Sequence, residues 1–360
     1  MKRLTTYLVM AVLVALSSCK APEVTPPTLG GPLLSFGTPS EAQQIAECGR
    51  GGAGSTTIVA GNINDHKIAV FGRYETGDHI FENHPETLYY SASFTDAKGD
   101  THTNQWVYGD TSLYNCGTDD EPRRPWNRLM DHEFRAFVPF SPDGSDKANG
   151  LPPENIQSMS NATKLVLDYY TQTNKFDLMV ARTLRNPAKD AEGVSKVSLE
   201  FQHVLSALQF KVIHKGGAGE VLTDAYIDGI AASGVLYYGV RLAGDTPTTI
   251  HWTPSYPSNN NYEWKGSRTI GMTEATAAVA FDGQGVVFAI PQTIAENQTS
   301  FVIKTESGGD ATHRAFLPAM TFVPGKLYVF TMTLEGASLN VNVSIKEWTN
   351  TQSNVDIYVQ

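Results

Sequence analysis

"LNVNVSIKEW", residues 339–348, is the stretch that decides the fold. Leu339, Val341, Val343 and Ile345 alternate with Asn340, Asn342, Ser344 and Lys346. Successive side chains of a strand point to opposite faces, so this alternation predicts a strand with one buried side. Just upstream, "KLYVFTMTLEG" sets Tyr328, Phe330, Met332 and Leu334 against Val329, Thr331 and Thr333. Glu335, Gly336, Ala337 and Ser338 separate the two runs, a hairpin-length connection. The same period appears in "ALQFKVIHK" (Leu208, Phe210, Val212) and "TLYYSASF" (Leu88, Tyr90, Ala92, Phe94). "KIAVFGRY", "FRAFVPF" and "TSFVIKT" read the same way. The best helix candidate is short, "FQHVLSAL" at 201–208, and "PPENIQSM" at 152–159 suggests a single turn. Many short strands joined by Gly, Pro and Asn turns predict an all-β chain of sandwiches or barrels.

The N-terminus opens with Lys2 and Arg3, followed by the apolar run Tyr7–Leu16, too short to span a bilayer comfortably. It ends in "LSSC", Leu16 to Cys19. Small residues before this cysteine resemble a bacterial lipobox, which makes residues 1–18 a lipoprotein signal peptide and Cys19 the acylated residue. An ordinary signal peptide with a chance cysteine is the alternative. The Pro- and Gly-rich residues 19–31 then form a lipid-anchored, extended tether. What remains exceeds one ordinary core, so two domains are expected, residues 32–190 and 191–360. The boundary falls in "RNPAKDAEGVS", residues 185–195, a long gap poor in apolar residues. Signal removal takes Lys2 and Arg3, so the formal charge moves from −10 by two more negative units. An acidic body without basic clusters argues against nucleic acid and anionic lipid as partners.

Signatures of catalysis are missing. "AECGRGGAGSTT", residues 46–57, has the glycines of a phosphate loop, but Gly54 is followed by Ser55 rather than by lysine. "HEFRA" places Ala136 where a zinc-protease motif needs a second histidine after His132 and Glu133. There is no G-x-S-x-G and no C-x-x-C. "DGSDK" at 143–147 puts Ser145 and Lys147 where a calcium loop needs oxygen ligands. His79 and His84 read as solvent-exposed loop residues, and Asp119 with Asp120 as turn chemistry. Trp106, Trp126 and Trp252 read as packing rather than sugar-stacking groups. No cofactor, no metal and no enzymatic activity are expected.

Six phrases, in order, resemble the fimbrillin family of Bacteroidales surface lipoproteins. They are "FRAFVPFSP" from 134, "KFDLMVART" from 175, "LEFQHVLSALQFKV" from 199, "FAIPQTI" from 288, "GKLYVFTMTL" from 325 and "VSIKEW" from 343. The resemblance covers most of the mature chain. It implies two tandem transthyretin-like β-sandwich domains and a type V pilus subunit, or an accessory or tip component of a fimbrium. It implies transport as a lipoprotein to the outer membrane surface and cutting by an arginine-specific maturation protease. The piece removed carries the first strand, and a strand of another subunit takes its place.

Several residues fit those roles. "PLLSFG", residues 32–37, reads as the removed strand, with Leu34 and Phe36 on one face. Arg50, flanked by glycines in an open loop, is the candidate cut site, and Arg73 in "VFGRYE" is the runner-up. The tail "NVDIYVQ" alternates Val355, Ile357 and Val359 with Asp356, Tyr358 and Gln360. It either pairs within its own domain or acts as the donor strand for a neighbour. Cys48 and Cys116 are compatible with a disulfide and with none; a disulfide would keep a cut strand attached. Partners expected are other pilus subunits, the protease, the outer membrane through lipid, and a host or bacterial surface receptor. The alternative is a non-polymerising adhesin or glycan-binding lipoprotein of the same family.

Overall fold

The structure is a computed structural model. It describes residues 40–41, 63–80, 85–95, 99–108, 130–158, 164–171, 173–185, 197, 199–217, 219–256, 262–281, 286–306, 311–347 and 357–359. The chain is all-β; among the described residues the only helices are short 3-10 turns. One of these, Pro153–Asn155, is the turn expected from "PPENIQSM".

Strands of the first part are β1 (Ser40–Glu41), β2 (Ile68–Tyr74), β3 (Glu86–Thr95), β4 (Thr101–Tyr108) and β5 (His132–Val138). They continue as β6 (Ile156–Ser158), β7 (Lys164–Tyr170), β8 (Met179–Arg185) and β9 (Glu200–His203). A seven-stranded sheet runs β1-β9-β8-β5-β2-β3-β4. Its pairs are antiparallel except β1 with β9, which is parallel. Both faces of this sheet are buried across its central strands β2, β5 and β8. Ala69, Phe71, Phe137 and Val180 pack on one side, and Ile68, Val70, Phe134 and Ala136 on the other. This is why "KIAVFGRY" and "FRAFVPF" are apolar almost throughout: a strand covered on two sides has no solvent face to keep polar.

The later strands are β10 (Ser206–His214), β11 (Val221–Asp228), β12 (Ser233–Gly239), β13 (Ile250–Ser255), β14 (Tyr262–Thr269) and β15 (Ala278–Val279). After them come β16 (Val286–Ala289), β17 (Thr293–Ile294), β18 (Ser300–Thr305) and β19 (Ala311–Phe316). The last are β20 (Met320–Thr321), β21 (Lys326–Glu335), β22 (Ser338–Glu347) and β23 (Ile357–Val359). One sheet runs β15-β10-β21-β22-β23, with β16 also on β10, and another runs β14-β11-β18-β19. Between them lies a core in which the Phe210 ring stacks on Phe301 at 4.5 Å and on Phe330 at 4.9 Å. Opening the decisive stretch, Leu339 and Val343 are buried in this core while Asn340 is exposed, as the alternation requires.

Strands on both sides of residue 190 share sheets. Strand β9 belongs to the seven-stranded sheet, and β12 pairs with β7 along Ser233–Gly239, giving the order β13-β12-β7-β6. Leu236 and Tyr238 of β12 pack with Leu165, Leu167 and Tyr169 of β7 against the seven-stranded sheet. A two-stranded ribbon therefore spans both halves: β11 with β14 at one end, β12 with β13 at the other. Gly229 makes the corner between β11 and β12. Its φ is +77°, and a Cβ there would lie 2.2 Å from the Gln298 carbonyl oxygen. Only glycine fits both demands.

The helix expected over 201–208 is not formed. These residues are the end of β9, a bend at Val204–Leu205, and the start of β10. Phe201 pairs with Ala181, and Ala207 pairs with both Phe288 and Leu327. Ladder hydrogen bonds and burial on both sides outweigh a short local periodicity.

Candidate functional site

The site of interest is the edge of the seven-stranded sheet formed by β1 and β9. Two residue pairs join them, Ser40 with Glu200 and Glu41 with Phe201. On its inner side β9 is held by β8 through Met179–His203, Val180–Gln202 and Ala181–Phe201. Alternation along β9 is sharp: Phe201 and His203 are buried, Gln202 is half-buried and Glu200 is exposed.

The C-terminal end of β9 is pinned from several directions. His203 Nδ1 lies 2.8 Å from the Asp177 carboxylate, and both side chains are buried. Val204 N–H donates to the Leu178 carbonyl, and the Trp252 indole N–H donates to the Val204 carbonyl at 2.7 Å. One step on, Gly325 N–H donates to the Leu205 carbonyl and the Ser206 hydroxyl donates to Val323. With both backbone groups of Val204 and the carbonyl of Leu205 held, this junction fixes β9 relative to β10. The nearby His66 imidazole is pulled down in pKa by burial, against the raising influence of Asp65 and Asp177.

Behind β9 the ribbon is latched to the sheet by a buried arginine. Arg135 of β5 donates to the Tyr238 carbonyl at 2.8 Å and the Pro247 carbonyl at 3.1 Å. It also donates to Glu133 at 2.9 Å, and Arg182 Nε donates to the same Glu133 oxygen at 2.6 Å. Burial pulls the Arg135 pKa down and Glu133 opposes it. Gln202 of β9 donates to the Tyr238 hydroxyl at 3.3 Å, which ties the edge strand to the same latch.

Cys19, Leu34, Phe36, Cys48, Arg50, Cys116 and Val355 lie outside the described residues. Arg73, the runner-up cut site, sits inside the sheet on β2, between β3 and β5. It is 6 % exposed, and its Nη2 donates to the Gly77 carbonyl at 3.2 Å. Burial lowers its pKa, partly offset by Glu133. Ile357 and Val359 belong to β23, where Ile357 pairs with Ile345 and Val359 with Val343 of β22. Asp143 accepts from the backbone N–H and hydroxyl of Ser145, a turn rather than a ligand set. Among the described residues no group of three or more His, Cys, Asp or Glu is placed to hold a metal ion. Asp177, Glu200 and His203 were not singled out by the sequence. "LEFQH" carries the alternation that could have found β9, but four residues are too few to stand out beside a competing helical period.

The fimbrillin-like family model matches residues 64–348, and the chain belongs to that family. It is a family of fimbrial proteins of the cell surface, not of enzymes. Similar solved structures include a fimbrial protein from Bacteroides vulgatus, 13% identical, with a TM-score of 0.52 over 82% of this chain and 99% of that one. A protein from Bacteroides uniformis provisionally assigned to cell adhesion is 12% identical, with a TM-score of 0.48 over 88% of this chain and 98% of that one. No curated protein matches the sequence. At such identities the shared feature is the fold.

Proposed function

We propose that this chain is a fimbrial subunit, or an accessory or tip component of a fimbrium, that accepts a strand from another subunit once its own first strand is removed. The observation that carries this reading is the position of β1. It lies on the N-terminal side of Arg50 and holds the edge of the sheet by two residue pairs. A cut after Arg50 would release it without touching any other described strand. A cut at Arg73 would require β2 to be pulled from between β3 and β5. Proteases need an extended chain in their cleft, so the glycine-rich sequence around Arg50 makes the better substrate than a residue inside a sheet.

Loss of β1 leaves the outer edge of β9 unpaired, while its inner edge stays on β8. Unpaired edges are templates for another strand, and main-chain bonds plus alternating side chains give the added strand its hold. Three or four apolar side chains buried by such a strand contribute roughly 5–10 kcal/mol. In this reading Leu34 and Phe36 leave with the removed piece, Cys19 carries the lipid that brings the precursor to the outer membrane, and a receptor on a host or bacterial surface is the final partner.

A second reading, a non-polymerising adhesin, is supported by the pairing of β23 with β22. A tail kept in its own sheet is not available as the donor strand carrying Val355, Ile357 and Val359. One experiment separates the two. The purified precursor is treated with an arginine-specific protease and run unboiled on an SDS gel. A subunit loses a small N-terminal piece and forms a ladder, and Arg50→Ala blocks both. An adhesin gives no ladder. The same gel without reductant shows whether a Cys48–Cys116 bond retains the cut piece.

A further inference from the structure

We propose that Glu200 sets the charge of the strand that β9 accepts, and that the selected strand carries a lysine or arginine where Ser40 now sits. This rests on the strand-acceptance reading above. Glu200 is the exposed, charged residue of β9, and Ser40 of β1 is its register partner. Among the described residues Glu200 makes no ion pair. Its other neighbour is Arg182, one step beyond the Ala181–Phe201 pair, and Arg182 gives its Nε to Glu133 at 2.6 Å.

Outward along this row of the sheet come two register-paired cations, Arg135 and Arg182, and then the carboxylate of Glu200. Arg135 and Arg182 share Glu133, and the place after Glu200 belongs to the strand that replaces β1. Serine carries no charge. A cation there meets the one carboxylate of the edge strand. Adjacent opposite charges on a sheet attract and like charges repel, each by a modest amount. The opposite face of β9 carries the fully buried Phe201, so a replacing strand with an apolar residue where Glu41 now pairs would extend that core. The fitting strand therefore alternates apolar residues with polar ones, one of which is basic.

This chain's own tail does not meet that description. Residues 349–360 include Asp356 and no lysine or arginine. Placed beside β9 with Ile357 and Val359 inward, its polar side would bring Asp356 or Tyr358 to Glu200. The edge accordingly favours the strand of a different subunit over that of a second copy.

The test uses the full precursor trimmed by an arginine-specific protease, and labelled peptides of residues 349–360. One peptide has the natural sequence, one carries Asp356→Lys and one Tyr358→Lys. Binding is read by fluorescence anisotropy at low salt and at about 0.5 M salt, where exposed charges are screened. At least one lysine peptide should bind roughly 1.5- to 5-fold tighter than the natural one, and the gap should close at high salt. Glu200→Lys should reverse the order, and Glu200→Gln should flatten it. Glu200 is exposed, so both variants should keep the melting temperature of the parent. Binding that ignores charge in all three proteins overturns the role of Glu200 while leaving strand acceptance intact. No binding by any peptide to any trimmed protein overturns strand acceptance, and the selection with it.

Discussion

Replacing Arg135 by methionine should loosen the ribbon before it loosens anything else. Arg135 is 1 % exposed and donates to the Tyr238 and Pro247 carbonyls and to Glu133. Hydrogen bonds from a charged donor contribute about 1.5–3 kcal/mol each, and a buried carbonyl left without its donor costs about 1–3 kcal/mol. Two effects work the other way. Glu133 keeps Arg182, so no carboxylate is orphaned. Removing a buried charge also recovers desolvation energy, and methionine fills much of the space. The net loss expected is about 2–4 kcal/mol, a large share of a typical domain's stability. Lysine retains the charge but cannot fork between two carbonyls, so Arg135→Lys should fall between parent and methionine. Urea unfolding gives the loss, and hydrogen exchange followed by mass spectrometry gives its place. Peptides covering 233–255 should exchange faster in Arg135→Met, while those covering 206–214 and 326–347 hold. Unchanged protection over 233–255, or an even loss across both regions, refutes the latch.

Asp245 is held from its ordinary 3.8 down to about 2 by its hydrogen bond with His251, then by the backbone N–H groups of Leu242 and Arg241. A depressed carboxylate stabilises above its unfolded pKa and the contribution fades as pH falls through the folded one. The loop at 241–249 should therefore loosen between about pH 4 and pH 2, seen as faster exchange of the Arg241 and Leu242 amides, and Asp245→Asn should abolish that pH dependence. Gly229→Ala meets both a positive φ and a backbone oxygen at 2.2 Å, so it should cost more than about 2 kcal/mol by thermal or urea unfolding. Gly336→Ala, at φ +57° with open space around it, should cost no more than about 1–2 kcal/mol. Phe210→Ala removes a ring stacked on two others and should cost about 3–5 kcal/mol, measured the same way.

The strands were legible wherever one face meets solvent. Residues 339–346 and 326–335 alternate and pair in register as a hairpin, from Lys326 with Glu347 to Glu335 with Ser338. Where a sheet is covered on both sides the strand itself was read, as in "KIAVFGRY", but the alternation expected of it is absent, because Ile68 to Phe71 are all buried. Legibility failed over 201–208, where a bend between two strands mimics a helical spacing. The ribbon was out of reach for a different reason. Nothing local in "SGVLYYG" says that its partner is β7, about 70 residues earlier, rather than the neighbouring β11. Glu200 was hidden because its meaning depends on the strand beside it.

The ribbon and the edge bear on one another. In the proposed assembly, force applied through an added strand enters at β9, and β9 continues through a pinned junction into β10. There β10 lies between β21 on one side and β15 and β16 on the other. The pull runs along these strands, so the ladder with β21, from Ala207–Leu327 to His214–Leu334, is loaded in shear. Many bonds then share the force, rather than opening one after another. The ribbon adds a second connection, since β12 cannot leave β7 without breaking the seven pairs from Ser233–Tyr170 to Gly239–Lys164. A chain with a single flexible linker between its halves would stretch there first. Here two strand paths cross, and the weaker element under tension is the added strand itself, whose hold depends on the few side chains it buries.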